Sequence, residues 1–80
     1  MTPGDVHSKD DLARFIVELR SELGADEGRW ENADLASYLE ALAGWVGDMG
    51  GWFKNQGQPV PHDPSWSLVA QMLRAATLYE

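Results

Sequence analysis

Apolar residues at positions 12, 15, 16, 19 and 23 recur at the i, i+3, i+4, i+7 and i+11 spacing of a single helical stripe. This spacing, which returns twice more along the chain, constrains the fold more than any other feature. Ser8 is placed to cap the first helix, with Asp11 three residues on as in a capping box. Asp10 and Asp11 set negative charge at the positive end of the helix dipole. Arg14 and Glu18, four apart, are expected to pair on the solvent side. Gly24 is expected to end the helix in a left-handed C′ conformation. The spacing therefore predicts a helix over residues 9–23.

A second stripe comprises Leu35, Tyr38, Leu39, Leu42, Trp45, Val46 and Met49, and the same spacing continues through Trp52 and Phe53. Asn32 reads as its N-cap, giving a helix over about 33–50. Gly44, Gly47, Gly50 and Gly51 bear on its end, since each glycine costs about 1 kcal/mol relative to alanine inside a helix. Two readings stay open for Gly44 to Gly51. The helix loosens or stops near Gly50, which is the favoured expectation, or a flat glycine face admits another backbone closely.

Residues 54–64 read as a loop from their glycine and proline content. Asp63 as N-cap and Pro64 at the first helical position then predict a third helix over 64–79. Trp66, Val69, Ala70, Leu73, Ala76 and Thr77 form one face, and Leu68, Met72, Ala75, Leu78 and Tyr79 cover most of the rest. A helix this apolar is either the centre of a bundle or part of a dimer interface. The expected fold is all-α, a compact three-helix single domain over 1–80, with residues 1–7 as a flexible N-terminus.

Eighty residues form a core only just large enough to hold a fold, and the chain has no cysteine to reinforce it. Four tryptophans, two tyrosines and two phenylalanines must supply the packing instead, each burying roughly 150–250 Å². The lack of cysteine also removes disulfides and thiolate metal sites. The first five residues have neither the basic nor the apolar region of a signal peptide, and no apolar run approaches the ~18 residues of a membrane span. A cytoplasmic location and no membrane association are expected.

The net charge is −7, with only six lysines and arginines scattered along the chain. Direct nucleic-acid binding, which relies on cations that neutralise phosphates, is not expected. An acidic surface favours solubility and a basic partner. Chemistry is harder to find. His7 and His62 stand in loops without a second histidine at metal-ligand spacing, and no nucleophile motif is present. Asp26, Glu27, Glu31 and Asp34 cluster near residue 30 but lack the alternation of a calcium loop. No enzyme activity, metal or cofactor is expected.

Trp30-Glu31-Asn32, Tyr38-Leu39-Glu40-Ala41, Trp45, Trp52-Phe53-Lys54-Asn55, Trp66 and Tyr79-Glu80 occur in an order that resembles a family of small bacterial domains of unknown function, with a W-E-N, Y-L-E-A, W and Y-E pattern. The resemblance covers about residues 8–80. It implies a stand-alone, helix-rich bacterial protein and supplies no activity, although small acidic proteins of this type resemble the immunity partners of secreted toxins. Tyr79 is expected to dock the tail and hold Glu80 near another helix.

The sequence therefore favours a protein-binding module, such as an inhibitor or immunity-like protein, acting by stoichiometric contact. Candidate contact residues are Trp30, Asp48, Trp52 and Phe53, with Glu31 and Glu40 behind them. The alternative is a structural, homodimeric helical protein.

Overall fold

The computed structural model of the chain describes residues 1–25 and 27–79. It contains three α-helices, α1 (Lys9–Ala25), α2 (Leu35–Asn55) and α3 (Trp66–Ala75), and short 3-10 turns at Pro3–Asp5 and Glu27–Arg29. No strand occurs among the described residues. The all-α, three-helix expectation holds.

α3 is the central element: α1, α2 and the turn at Pro3–Asp5 all pack on it, whereas α1 and α2 pack on α3 rather than on each other. This outcome follows from its composition, since a helix apolar nearly all round must be covered on several sides. On one side Phe15 and Leu19 of α1 meet Ala70 and Leu73 of α3, together with Val6, Leu12 and Trp30. Ala70 is fully buried, so a small side chain lets α1 approach α3 there. On the other side Trp45 and Phe53 of α2 meet Leu68, with Met49, Met72, Ala75 and Tyr79 around them.

Local signals account for α1. The Ser8 hydroxyl accepts from the Asp11 backbone N–H, and the Asp11 carboxylate accepts from His7 N–H, one residue earlier than in a capping box. Arg14 pairs with Asp11 rather than with Glu18, because an aspartate one turn back lies within its reach. Gly24 is helical, not a left-handed cap, and α1 continues to Ala25. Residues 1–7, expected as a flexible N-terminus, bury Val6 completely, and the Ser67 hydroxyl donates to its carbonyl at 2.6 Å.

The glycines do not stop α2. It runs unbroken to Asn55, because Phe53 is buried against Leu68 and Trp52 stacks edge-on against Phe53 at 4.8 Å. Tertiary burial of two aromatic rings outweighs about 1 kcal/mol per glycine. The chain turns only at Gly57, which has φ +70°. The N-cap of α2 is Asp34, whose carboxylate accepts from Ser37 N–H at 2.9 Å, and not Asn32.

α3 is shorter than expected at both ends. Ser65, not Asp63, caps it by accepting from Leu68 N–H at 3.0 Å, so Pro64 lies outside the helix. After Ala75 the helical ladder tightens, with Thr77 N–H donating to Arg74 O and Leu78 N–H to Ala75 O, while Leu73 O accepts from the Tyr38 hydroxyl.

Candidate functional site

The end of a helix leaves carbonyls without intrahelical partners. At the end of α3 the Leu73 carbonyl and those of the turn that follows it are met by groups from the α1–α2 junction and from α2. The Asn32 side-chain amide donates to the carbonyls of Ala76 at 3.0 Å and Tyr79 at 2.8 Å, and Asn32 N–H donates to Thr77 O at 3.0 Å. The Tyr38 hydroxyl donates to Leu73 O at 2.7 Å. Burial pushes that phenol above its ordinary pKa. One asparagine thus ties the C-terminal turn to the segment before α2.

The Trp30 ring stacks on Tyr38 with centroids 5.7 Å apart, and its indole N–H donates to Glu22 at 3.0 Å. Glu22 also receives Arg74 of α3, whose Nη1 lies 3.0 and 2.9 Å from its two carboxylate oxygens. The Arg74 hydrogen bond, then the Trp30 one, hold the Glu22 carboxyl below its ordinary pKa. A depressed folded pKa adds stability above the unfolded value, about 4.3 for glutamate, that is lost as pH falls through the folded value. Glu22→Gln is therefore expected to destabilise the protein at neutral pH, with the gap to wild type closing in acid. Urea midpoints measured from about pH 7 to about pH 3 test this. A gap constant with pH would show that Glu22 titrates as it does in the unfolded chain.

Two surfaces are shaped for contact. The first is a cleft of about 460 Å³ lined by Asn32, Ser37, Glu40, Ala41, Gly44, Asp48 and Tyr79. The Tyr79 hydroxyl donates to Asp48, and this hydrogen bond, then desolvation, raises the Tyr79 pKa. A Cβ on Gly44 would lie 3.1 Å from Tyr79 Cε2, so this glycine lets the ring lie against α2. The close-approach reading of the glycine face applies here, with a side chain in place of a backbone. Gly47, Gly50 and Gly51 face open space.

The second surface is a groove of about 430 Å³ between α1 and α2, floored by α3. Its walls are Ile16, Leu19 and Leu23 on one side and Leu35 and Tyr38 on the other, with Trp30 at the junction and Leu73 below. Leu35 is 73% exposed, Leu39 52% and Ile16 46%; Val46 is also exposed. Leu35, Leu39, Leu42 and Val46 form an i, i+4, i+7, i+11 stripe that continues the groove wall along α2. Among the described residues, Arg20 and Asp34 bring charge to the groove, from opposite walls.

A model described as Family of unknown function (DUF7660) matches residues 8–80. The chain belongs to this family. Neither the curated proteins nor the solved structures contain a match. The candidate contact residues singled out in the sequence divide among three places. Glu40 and Asp48 share the cleft, Trp30 lines the groove, and Trp52 and Phe53 lie beside Leu68 at the far end of α2.

Phe53 is buried core, and Trp52, which packs on Phe53 and Trp45, supports that cluster. Phe53 is thereby withdrawn from solvent, whereas Trp52 keeps 37% of its surface exposed. Glu31 is exposed beside Asn32. Glu80 and Asp26 lie outside the described residues. Sequence reasoning passed over Asn32 as a tether, Gly44 as the seat of Tyr79, and the exposed leucines of α2. The one available signal for the leucines was the width of the α2 apolar arc, too broad for a single covering helix.

Proposed function

We propose that the protein is a protein-binding module acting by stoichiometric contact, with the α1–α2 groove and the Leu35–Leu39–Val46 stripe as its contact surface. The observation that carries this reading is the exposure of Leu35, Leu39 and Ile16 on one continuous, nearly uncharged surface of a chain whose net charge is −7. Contiguous exposed apolar surface of this kind marks binding sites. A groove walled by two helices receives the apolar face of a third. The proposal assigns no reaction. It takes the bacterial setting from the family pattern, and a reducing, cytoplasmic one from the absence of cysteine. No described helix is long and apolar enough to cross a membrane.

Glu40 and Asp48, two turns apart on α2, favour a narrower second reading in which the acidic cleft receives a basic group of an inhibited partner. The two surfaces are separable by mutation. Leu39→Glu on tagged bait is expected to remove proteins captured at the groove from host lysate. Circular dichroism should stay unchanged, because the side chain is half exposed. Glu40→Gln should spare that capture. An identical captured set with and without Leu39→Glu would sink the groove reading.

A further inference from the structure

We infer that the occupant of the α1–α2 groove is a second copy of this chain, joined across a two-fold axis. The inference rests on the groove being a contact surface and names what fills it. Three observations converge on a like copy.

The first is that groove and ligand are present on one molecule. Leu35, Leu39, Leu42 and Val46 form an apolar helical ridge directly beside the groove, at the spacing with which a helix fills such a groove. A two-fold axis places each ridge in the other copy's groove, so that both vacancies close at once. Ala36, Ala43, Gly47 and Gly50 flank the ridge with small residues, and Cβ atoms at Gly47 and Gly50 would meet nothing within 4 Å, which leaves room for a second backbone.

The second is charge. Arg20 stands on the α1 wall, its guanidinium laid toward Gly24, and no ion pair joins it among the described residues. Asp34 stands on the α2 wall, its carboxylate held by Ser37 N–H and its pKa lowered by that bond. Basic on one wall and acidic on the other is the arrangement that complements itself under a two-fold rotation. Each Arg20 then faces the partner subunit's Asp34. A single foreign helix would have to match both signs separately.

The third is area. A standard stable interface takes about 800 Å² per partner, which the chain's 5320 Å² of accessible surface is large enough to supply. Repulsion between two chains of net charge −7 is largely screened at about 0.15 M salt, where the Debye length is about 8 Å.

Sedimentation equilibrium of the untagged full chain, from micromolar to millimolar concentration in that salt, tests the inference. The expected result is a reversible approach to twice the monomer mass. Leu39→Glu should raise the dimer Kd about a hundredfold or more, the effect of a charge placed at the centre of an apolar contact. Arg20→Gln and Asp34→Asn should each raise it roughly threefold to tenfold. Together they should do no more than either alone. Asparagine still caps α2, so Asp34→Asn preserves the fold.

A monomer at every concentration overturns the second copy as occupant, and so does a dimer indifferent to Leu39→Glu. If the monomer still loses a captured protein on Leu39→Glu, the groove remains a contact surface for a different chain. If it loses none, the groove reading falls as well.

Discussion

Trp45→Ala is expected to lower the free energy of unfolding by about 3–5 kcal/mol. Trp45 is buried with Phe53 and Leu68, and Met49, Met72, Ala75 and Tyr79 close around that cluster. Removing the indole opens a cavity between α2 and α3 that none of these neighbours can fill. It also withdraws support from Trp52, whose ring lies 5.9 Å from that of Trp45. A domain of this size has only about 4–12 kcal/mol in total, so the variant is expected to be near its unfolding midpoint in buffer. Urea titration followed by far-ultraviolet circular dichroism measures the loss. A cost under about 1 kcal/mol would mean that the α2–α3 contact does not hold the domain together.

Asn32→Ala is expected to cost about 2–3 kcal/mol, because two half-buried carbonyls, those of Ala76 and Tyr79, lose their donor together. The effect has a location as well as a size. An N-cap asparagine, as the sequence reading had it, would on loss fray the first turn of α2. A tether at the end of α3 would on loss release residues 76–79 and loosen Tyr79 from Asp48 and Gly44. Hydrogen exchange separates the two, and faster exchange confined to the amides of 77–79 is the expected result. Faster exchange in residues 35–38 alone would return Asn32 to the capping role. Asn32→Asp should be no better than alanine, since a carboxylate offers the two carbonyls no proton.

The acidic cleft depends on this tether more than on its own carboxylates. Asn32 holds the Tyr79 backbone, Gly44 leaves space for the ring, and Asp48 accepts from the hydroxyl. Family residues such as Trp30, Asn32 and Tyr38 thus have structural work at the end of α3, and their grouping does not by itself mark a site of chemistry. The groove has a different origin. α1 and α2 both spend their best apolar residues on α3, which leaves Ile16, Leu35 and Leu39 facing outward between them.

Much of this was legible from the residues alone. The five-residue stripe from Leu12 to Leu23 and the Ser8 cap identify α1, since helical period and capping are set by neighbours a few residues away. The heavy apolar coverage of α3 implied its central place. The end of α2 was misjudged for the complementary reason. Glycine propensity is a local quantity, whereas the energy that carries the helix past Gly50 comes from Phe53 packing on Leu68, fifteen positions away. Phe53 shows the same effect: it looks exposed at a predicted element end until the element is found to continue, whereas Trp30 lines the groove and Trp52 stays partly exposed.

The sequence by itself determined the number of helices, the start of α1, the aromatic core at Trp45 and the acidic, cysteine-free surface, all of them consequences of composition and short-range periodicity. Only the tertiary structure decided where α2 and α3 end, that Asn32 joins residue 32 to residues 76–79, and that α1 and α2 part over α3 to leave a groove. Each of those outcomes is the result of competition among partners 15 to 47 positions apart, and a local pattern contains no term for a partner that only folding brings near.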